Sequence, residues 1–394
     1  MSISYWLDKS SGKIPLKADI AIIGGGITGL CLAYWLDQIG GVSVALVERG
    51  RLGSGATGRN AGFLLAGTSE NYFRMRQQYG NERAKAIYSL TIDNHNLLYE
   101  QIIKPHSINC GYTRCGSITA AVTNEEYDEL LNSHRLLCDD NFQCELIDET
   151  MNAKLEVRGF KGGLQQRIDG GINPVLFIEG IKSFLSDKVS IIEHCEVFDI
   201  RSESGELNIR AESAAIKCDL AILATNGYAP LLSSFLKGKV TPTRGQVLAL
   251  SATDKKLFDG HTIYCDFGFE YFRQLSNGVV LLGGFRQNYR AEELGYSDET
   301  TESIQMGLEE FISGHIPTLV GQKITHRWSG IMGFSADGLP LVGEIPGHPG
   351  VMYIGGYTGH GLGFAVVLTK ALAEQLLNGK TDYPLEIFSL RRLG

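Results

Sequence analysis

Gly24-Gly25-Gly26-Ile27-Thr28-Gly29 fits the pattern G-x-G-x-x-G, a spacing suited to phosphate. Gly24 makes a tight turn out of a strand, Gly26 lets the backbone approach a pyrophosphate, and Gly29 lets a helix pack on the sheet. The N-terminus of that helix offers free N–H groups and the positive end of a dipole. Glu48 lies 48 − 29 = 19 residues beyond Gly29, the distance at which a carboxylate binds a ribose hydroxyl. The motif therefore predicts a dinucleotide site, but alone it does not separate NAD from FAD.

The elements around the motif agree with it. Ile20–Ile23 is a short apolar strand, Ile27–Ile39 a helix, and Val42–Val47 the next strand. Gly116–Val122 is a strand, followed by a capping box at Thr123 and Glu126. Asn173-Pro174 opens a helix. Alternating strands pass through Ile200, Leu207–Ile209 and Ile216, and Leu220–Ala224 is a buried strand. Ser276-Asn277-Gly278 joins Tyr271–Gln274 and Val279–Leu282 as a hairpin. Glu302–Ile312 is helical, Met352–Ile354 is a strand, and Leu362–Leu377 is the last helix. Dinucleotide-type βα pieces thus occur near the start, middle and end. They predict a discontinuous nucleotide domain over 1–85, 155–235 and 325–394, and a substrate domain over 86–154 and 236–324.

Bulk properties exclude other classes. The 394 residues exceed one compact core. The net charge is -8 and no basic run interrupts it, which argues against a nucleic-acid partner. None of the eight cysteines forms a C-x-x-C pair, so no metal site is expected. Met1–Lys17 lacks an apolar signal-peptide core, and no apolar run approaches the ~20 residues that span a bilayer. A cytoplasmic location with free thiols is expected.

Four blocks carry a resemblance to the D-amino-acid-oxidase superfamily of flavoenzymes, in its glycine oxidase, sarcosine oxidase and γ-glutamylputrescine oxidase branch. The first is the cradle, with Ile27 and Thr28, through Glu48-Arg49. The second is Gly53-Ser54-Gly55-Ala56-Thr57-Gly58-Arg59-Asn60-Ala61-Gly62, similar to the segment that runs beneath the flavin. The third is Ala221-Ile222-Leu223-Ala224-Thr225-Asn226-Gly227, similar to the turn that closes over the nucleotide. The fourth joins Trp328-Ser329-Gly330, Asp337–Gly343 and Gly355-Gly356-Tyr357-Thr358-Gly359-His360-Gly361, running into Leu362. The resemblance implies an α/β fold: a Rossmann-like FAD-binding domain of the glutathione-reductase type with an inserted α+β substrate domain on an antiparallel sheet. It implies FAD as cofactor, and it places Val197 against the adenine. It implies oxidation of a C–N bond by hydride transfer to flavin N5, giving an imine that water hydrolyses. The turn before the last helix would then stabilise negative charge at the flavin N1–C2=O end.

The departures from that family bear on the substrate. Where relatives carry an Arg that clamps a carboxylate, this chain has Ile331-Met332-Gly333. Where the sarcosine oxidase branch has a Lys after Gly-His-Gly, it has Gly363, and Val279–Leu282 lacks the Lys credited with activating oxygen. The flavin-linking Cys is missing, so FAD is expected to be non-covalent. The expected substrate is a primary or secondary amine, with any carboxylate remote from the reacting carbon, rather than a small α-amino acid. Arg59, Arg273 and Arg286 are the cations that could hold such a carboxylate, although a solvated surface position is roughly twice as expected for Arg286. Tyr271, Trp328 and Tyr357 fit either an aromatic wall or core packing, and His360 fits a donor beside the flavin. Two alternatives stay open. One is a flavin-bearing subunit that passes electrons to a partner chain, with oxygen as acceptor otherwise. The other is an NAD(P)H-dependent flavin hydroxylase, which the absence of an Asp after Gly355-Gly356 disfavours.

Overall fold

The computed structural model describes residues 14–203 and 205–394, so most of Met1–Lys17 lies outside the described residues. Five apolar segments pair in parallel within a six-stranded sheet. Ile20–Ile23 lies between Val44–Val47 and Leu220–Leu223, and Val189–Ile192 extends the first side. On the other side Val351–Gly355 pairs in parallel with Leu220–Leu223, and Leu341–Glu344 adds an antiparallel edge. Helices Ile27–Ile39 and Gly361–Asn378 pack against each other on one face, both deeply buried along their inner sides. A four-stranded sheet, Ile14–Lys17, Ala214–Cys218, Glu206–Ala211 and Val197–Glu203, covers part of the other face through Ile209, Ile216 and Ala221.

An eight-stranded sheet runs, in spatial order, through Ile324–Ser335, Val240–Leu250, Val280–Gly283, Glu270–Gln274, Thr262–Cys265, Ser117–Ala121, Gly162–Gln166 and Glu145–Asp148. Its pairings are antiparallel except where Thr262–Cys265 meets Ser117–Ala121. Gly162–Gln166 and Ile324–Ser335, which the expected boundaries at 155 and 325 group with the nucleotide segments, belong to this sheet. The chain thus crosses between the two large sheets inside those segments rather than at their ends.

Local chemistry sets the element limits. The strand expected from Val42 starts at Val44, because the Ser43 amide and hydroxyl both donate to Asp19 Oδ2, at 2.6 and 2.7 Å. Asn173 caps helix Pro174–Lys182 through the amides of Val175 and Leu176. Thr123 caps helix Asn124–Asp139 by accepting from the Glu126 amide at 3.1 Å. The return bond of this box goes to the Val122 amide at 2.7 Å, because the other Glu126 oxygen takes the Phe267 amide at 2.7 Å. The cap thereby ties a helix to the loop after strand Thr262–Cys265.

Candidate active site

The cradle is built on close backbone approach. Gly24 turns the chain at φ +113°, and a Cβ there would stand 2.7 Å from the Ala224 carbonyl oxygen. A Cβ on Gly29 would collide with the Gly24 carbonyl, so helix and strand need that glycine to pack. On Gly26 a Cβ would stand 2.9 Å from Thr57 Oγ1. That hydroxyl oxygen accepts from the Ile27 amide at 2.9 Å, which leaves its proton for a further acceptor. Glu48 accepts from the Gly25 and Gly50 amides, both at 2.7 Å, and so holds the turn from behind.

The short helix Ala56–Arg59 is fixed by its own polar side chains. Asn60 donates to the Ala56 and Thr57 carbonyls and accepts from the Gly62 amide at 2.7 Å. Arg59 donates to the carbonyls of Ser54 and Ser329, both at 2.9 Å, and approaches Asp298 at 3.7 Å. Asn226, at φ +44°, accepts from the Gly356 amide at 3.0 Å and so joins two strand ends.

One continuous cleft passes these groups. Gly24, Gly26, Ile27, Thr28, Glu48 and Arg49 line it, as do Ser54, Gly55, Ala56, Thr57, Arg59, Asn60 and Ala61. So do Val197, Ala224, Thr225, Asn226, Gly330, Tyr271, Arg286, Gly359, His360, Gly361 and Leu362. Of the cofactor and substrate candidates singled out from sequence, Gly29, Gly62, Arg273 and Trp328 are not in its lining. Gly29 and Gly62 serve packing, since a Cβ on Gly62 would strike the Ile172 carbonyl. Trp328 donates its indole N–H to the Arg59 carbonyl at 2.9 Å and pins the short helix instead of facing the cleft. Arg273 is likewise spent on structure: it is buried and donates to the Gly62 carbonyl at 2.7 Å.

The far end of the cleft is aromatic and cationic. Tyr264 and Tyr271 are cross-strand partners whose rings stack at 5.6 Å, and Phe63 sets its edge against both. Gly284 at φ +131° and Phe285 at φ +64° turn the chain sharply before Arg286. The Arg286 guanidinium lies 4.8 Å from the ring centres of both Phe269 and Phe334. Among the described residues it makes no hydrogen bond or ion pair, and burial pulls its pKa down. It is thus no solvated surface arginine. His360 stands at the N-terminus of helix Gly361–Asn378, with Nδ1 buried and without a partner among the described residues. Burial pulls its pKa down to about 4, so the ring is neutral at physiological pH. Tyr357 lines the same end and exchanges a 3.0 Å hydrogen bond with Thr28.

The family description FAD dependent oxidoreductase (DAO) matches residues 19–375, nearly the whole chain. The protein belongs to the DAO family. It is similar to a probable oxidoreductase OrdL of Haemophilus influenzae, 26% identical over 94% of this chain and 85% of that one. It is also similar to the gamma-glutamylputrescine oxidoreductase of Escherichia coli, 23% identical over 93% of this chain and 85% of the relative. The crystal structure of glycine oxidase from Geobacillus kaustophilus shares the fold, with a TM-score of 0.80 at 22% identity, covering 95% of this chain and 98% of that chain.

This DAO protein is therefore an FAD-dependent oxidoreductase, with a Rossmann-like FAD domain and a substrate domain. Its residues fit the cofactor. The cradle has no room for a side chain at Gly26, and among the described residues Thr225 Oγ1 and His360 Nδ1 are buried without partners. Sequence reasoning missed Phe63, Tyr264, Phe269 and Phe334, all of which line the cleft. Tyr264 had a usable signal: it stands in an apolar segment one turn before Tyr271, where a hairpin would pair the two.

Proposed function

We propose that FAD lies along this cleft without a covalent link, and that the protein oxidises the C–N bond of a small amine bearing a carboxylate away from the reacting carbon. Arg286 carries this reading. A guanidinium held over two phenyl rings, facing a cleft and with no acceptor among the described residues, suits a planar anion. Bound FAD supplies the two-electron oxidation. The amides at the start of helix Ile27–Ile39 and the Thr57 hydroxyl would hold the pyrophosphate, Glu48 the ribose, and Val197 the adenine. The first turn of helix Gly361–Asn378 would present N–H groups and positive dipole to the flavin ring. Phe63, Tyr264 and Tyr271 would exclude water and keep the reacting nitrogen neutral, since an unpaired charge among them is costly. His360, neutral, would offer a hydrogen bond without adding charge. Met332 and Gly363 leave the positions next to the flavin without a cation, which sets the carboxylate apart from the reacting carbon.

The test compares paired amines, with and without a carboxylate, in wild type and Arg286→Ala. A charged hydrogen bond of ~1.5–3 kcal/mol predicts a KM about 10- to 100-fold higher for the carboxylate amine in the variant. The carboxylate-free amine should be unaffected. Equal KM values for the carboxylate amine in both proteins would remove Arg286 as the anchor. A second reading, a subunit that hands electrons to a partner, draws on strand Val280–Gly283, which bears no cation. Turnover with an artificial acceptor that far exceeds turnover in air would favour it.

A further inference from the structure

The sequence spacing His134-x3-Cys138-x5-Cys144 matches no familiar metal motif, yet the fold brings the three side chains together. His134 and Cys138 stand one turn apart near the C-terminus of helix Asn124–Asp139, and Cys144 directly precedes strand Glu145–Asp148. Their ligand atoms all lie within 4.8 Å of one another. His134 Nε2 is 3.6 Å from Cys138 Sγ. In a tetrahedral zinc site with bonds of ~2.1 Å to nitrogen and ~2.3 Å to sulfur, that edge is about 3.6 Å. The Cys144 thiol reaches back to the His134 carbonyl at 4.0 Å, so the loop already turns its sulfur toward the helix end.

We propose that His134 Nε2, Cys138 Sγ and Cys144 Sγ form a site for a soft divalent cation, zinc by its chemistry, with water as the fourth ligand. Each ligand type is one that zinc prefers, and three protein ligands leave one position open. The exposed Cys138 keeps that position in contact with solvent. A cation also suits the negative end of the helix dipole. Binding would displace the Cys144 thiol proton and replace its loose S–H contact with the His134 carbonyl by a bond to the ion. The ion would staple the helix end to the strand that follows, across residues 140–143. The cleft is lined by other residues, so this site is separate from the FAD reaction.

The test uses the reduced, FAD-loaded protein, equilibrated with Zn²⁺ and then passed through gel filtration. We expect one zinc per chain by mass spectrometry, and X-ray absorption showing two sulfur neighbours at ~2.3 Å. Cys138→Ser and Cys144→Ser should each abolish retention, and His134→Ala should weaken it. Cys115→Ser, at a distant half-exposed thiol, should leave retention intact. An unchanged flavin spectrum in every variant shows that the fold survives. The proposal is overturned if reduced protein retains no zinc, if the Cys138→Ser/Cys144→Ser double variant retains as much as wild type, or if no sulfur appears in the first shell. A Cys138–Cys144 disulfide whose reduction still yields no zinc uptake overturns it as well.

Discussion

At the scale of single residues, the proposed ribose contact would give Glu48 two purposes at once. Its two oxygens accept from the Gly25 and Gly50 amides at 2.7 Å, so it shapes the cradle before any nucleotide arrives. Each carboxylate oxygen has a second lone pair, and both can still accept from a ribose hydroxyl. Removing the side chain would therefore remove the proposed charged hydrogen bond to ribose and free two amides. We expect Glu48→Ala to weaken FAD binding by about 10- to 100-fold, from ~1.5–3 kcal/mol, with the ranking of amine substrates unchanged. Fluorescence titration of apoprotein with FAD measures the first, and steady-state kinetics at saturating FAD the second. Unchanged affinity would show that Glu48 acts only on the turn. Thr57 shows the same economy: its oxygen accepts from the Ile27 amide and its proton remains free to donate.

At the scale of elements, the position of helix Gly361–Asn378 decides where its N-terminus points. Gly363 lies against the Leu65 carbonyl, and a Cβ there would stand 2.6 Å from that oxygen. In an ordinary helix interior Gly→Ala stabilises by ~0.5–1 kcal/mol. Here the collision reverses the sign, with a cost of ~1–3 kcal/mol for forced displacement. Gly363→Ala should lower the melting temperature and weaken FAD binding together, because the first turn of the helix must move off the cleft. A stabilised variant would show that the helix has slack. The same contact explains why no lysine can stand at this position. Elements of this kind were largely legible in sequence, because a glycine cradle, an apolar strand and a capped helix are local patterns. Ile20–Ile23, Ile27–Ile39 and the start at Pro174 agree with the expected limits. What was not legible depends on pairing across long separations. Trp328 and Arg273 carried the right chemistry but are turned to the carbonyls of Arg59 and Gly62. Phe269, in the turn before strand Glu270–Gln274, and Phe334, in strand Ile324–Ser335, meet at Arg286 although they stand 334 − 269 = 65 residues apart in the chain. No spacing rule links them.

At the scale of the whole molecule, stability carries a buried acidic load around the eight-stranded sheet. Burial pushes Glu126 and Asp169 up to about 7 each. Burial first, and then Asp266 beside it, pushes Glu270 up to about 8. Their unfolded values are about 4, so between roughly pH 4 and pH 8 the folded state binds more protons than the unfolded one. Stability from these groups is therefore complete below the unfolded values and is lost as pH rises through the folded ones. Two buried imidazoles act the opposite way. Burial lowers the pKa of His95 and takes His360 down to about 4, so they destabilise the fold only as pH falls below the usual histidine range. Between pH 6.5 and 8.5 the carboxyls dominate, and the melting temperature of the FAD-loaded protein should fall. Glu270 has the highest value and so contributes the upper part of that fall. Glu270→Gln keeps an acceptor for the Gln287 amide, which now donates to Glu270, and removes the titration. The variant should show a shallower decline, with its largest gain over wild type at pH 8.5 and little at pH 6.5. Calorimetric melts of both proteins across that range, at fixed salt and saturating FAD, measure the slopes. Parallel slopes would mean that Glu270 is already ionised in the folded protein, and that Asp266 and Glu270 share their pocket as two charges rather than one.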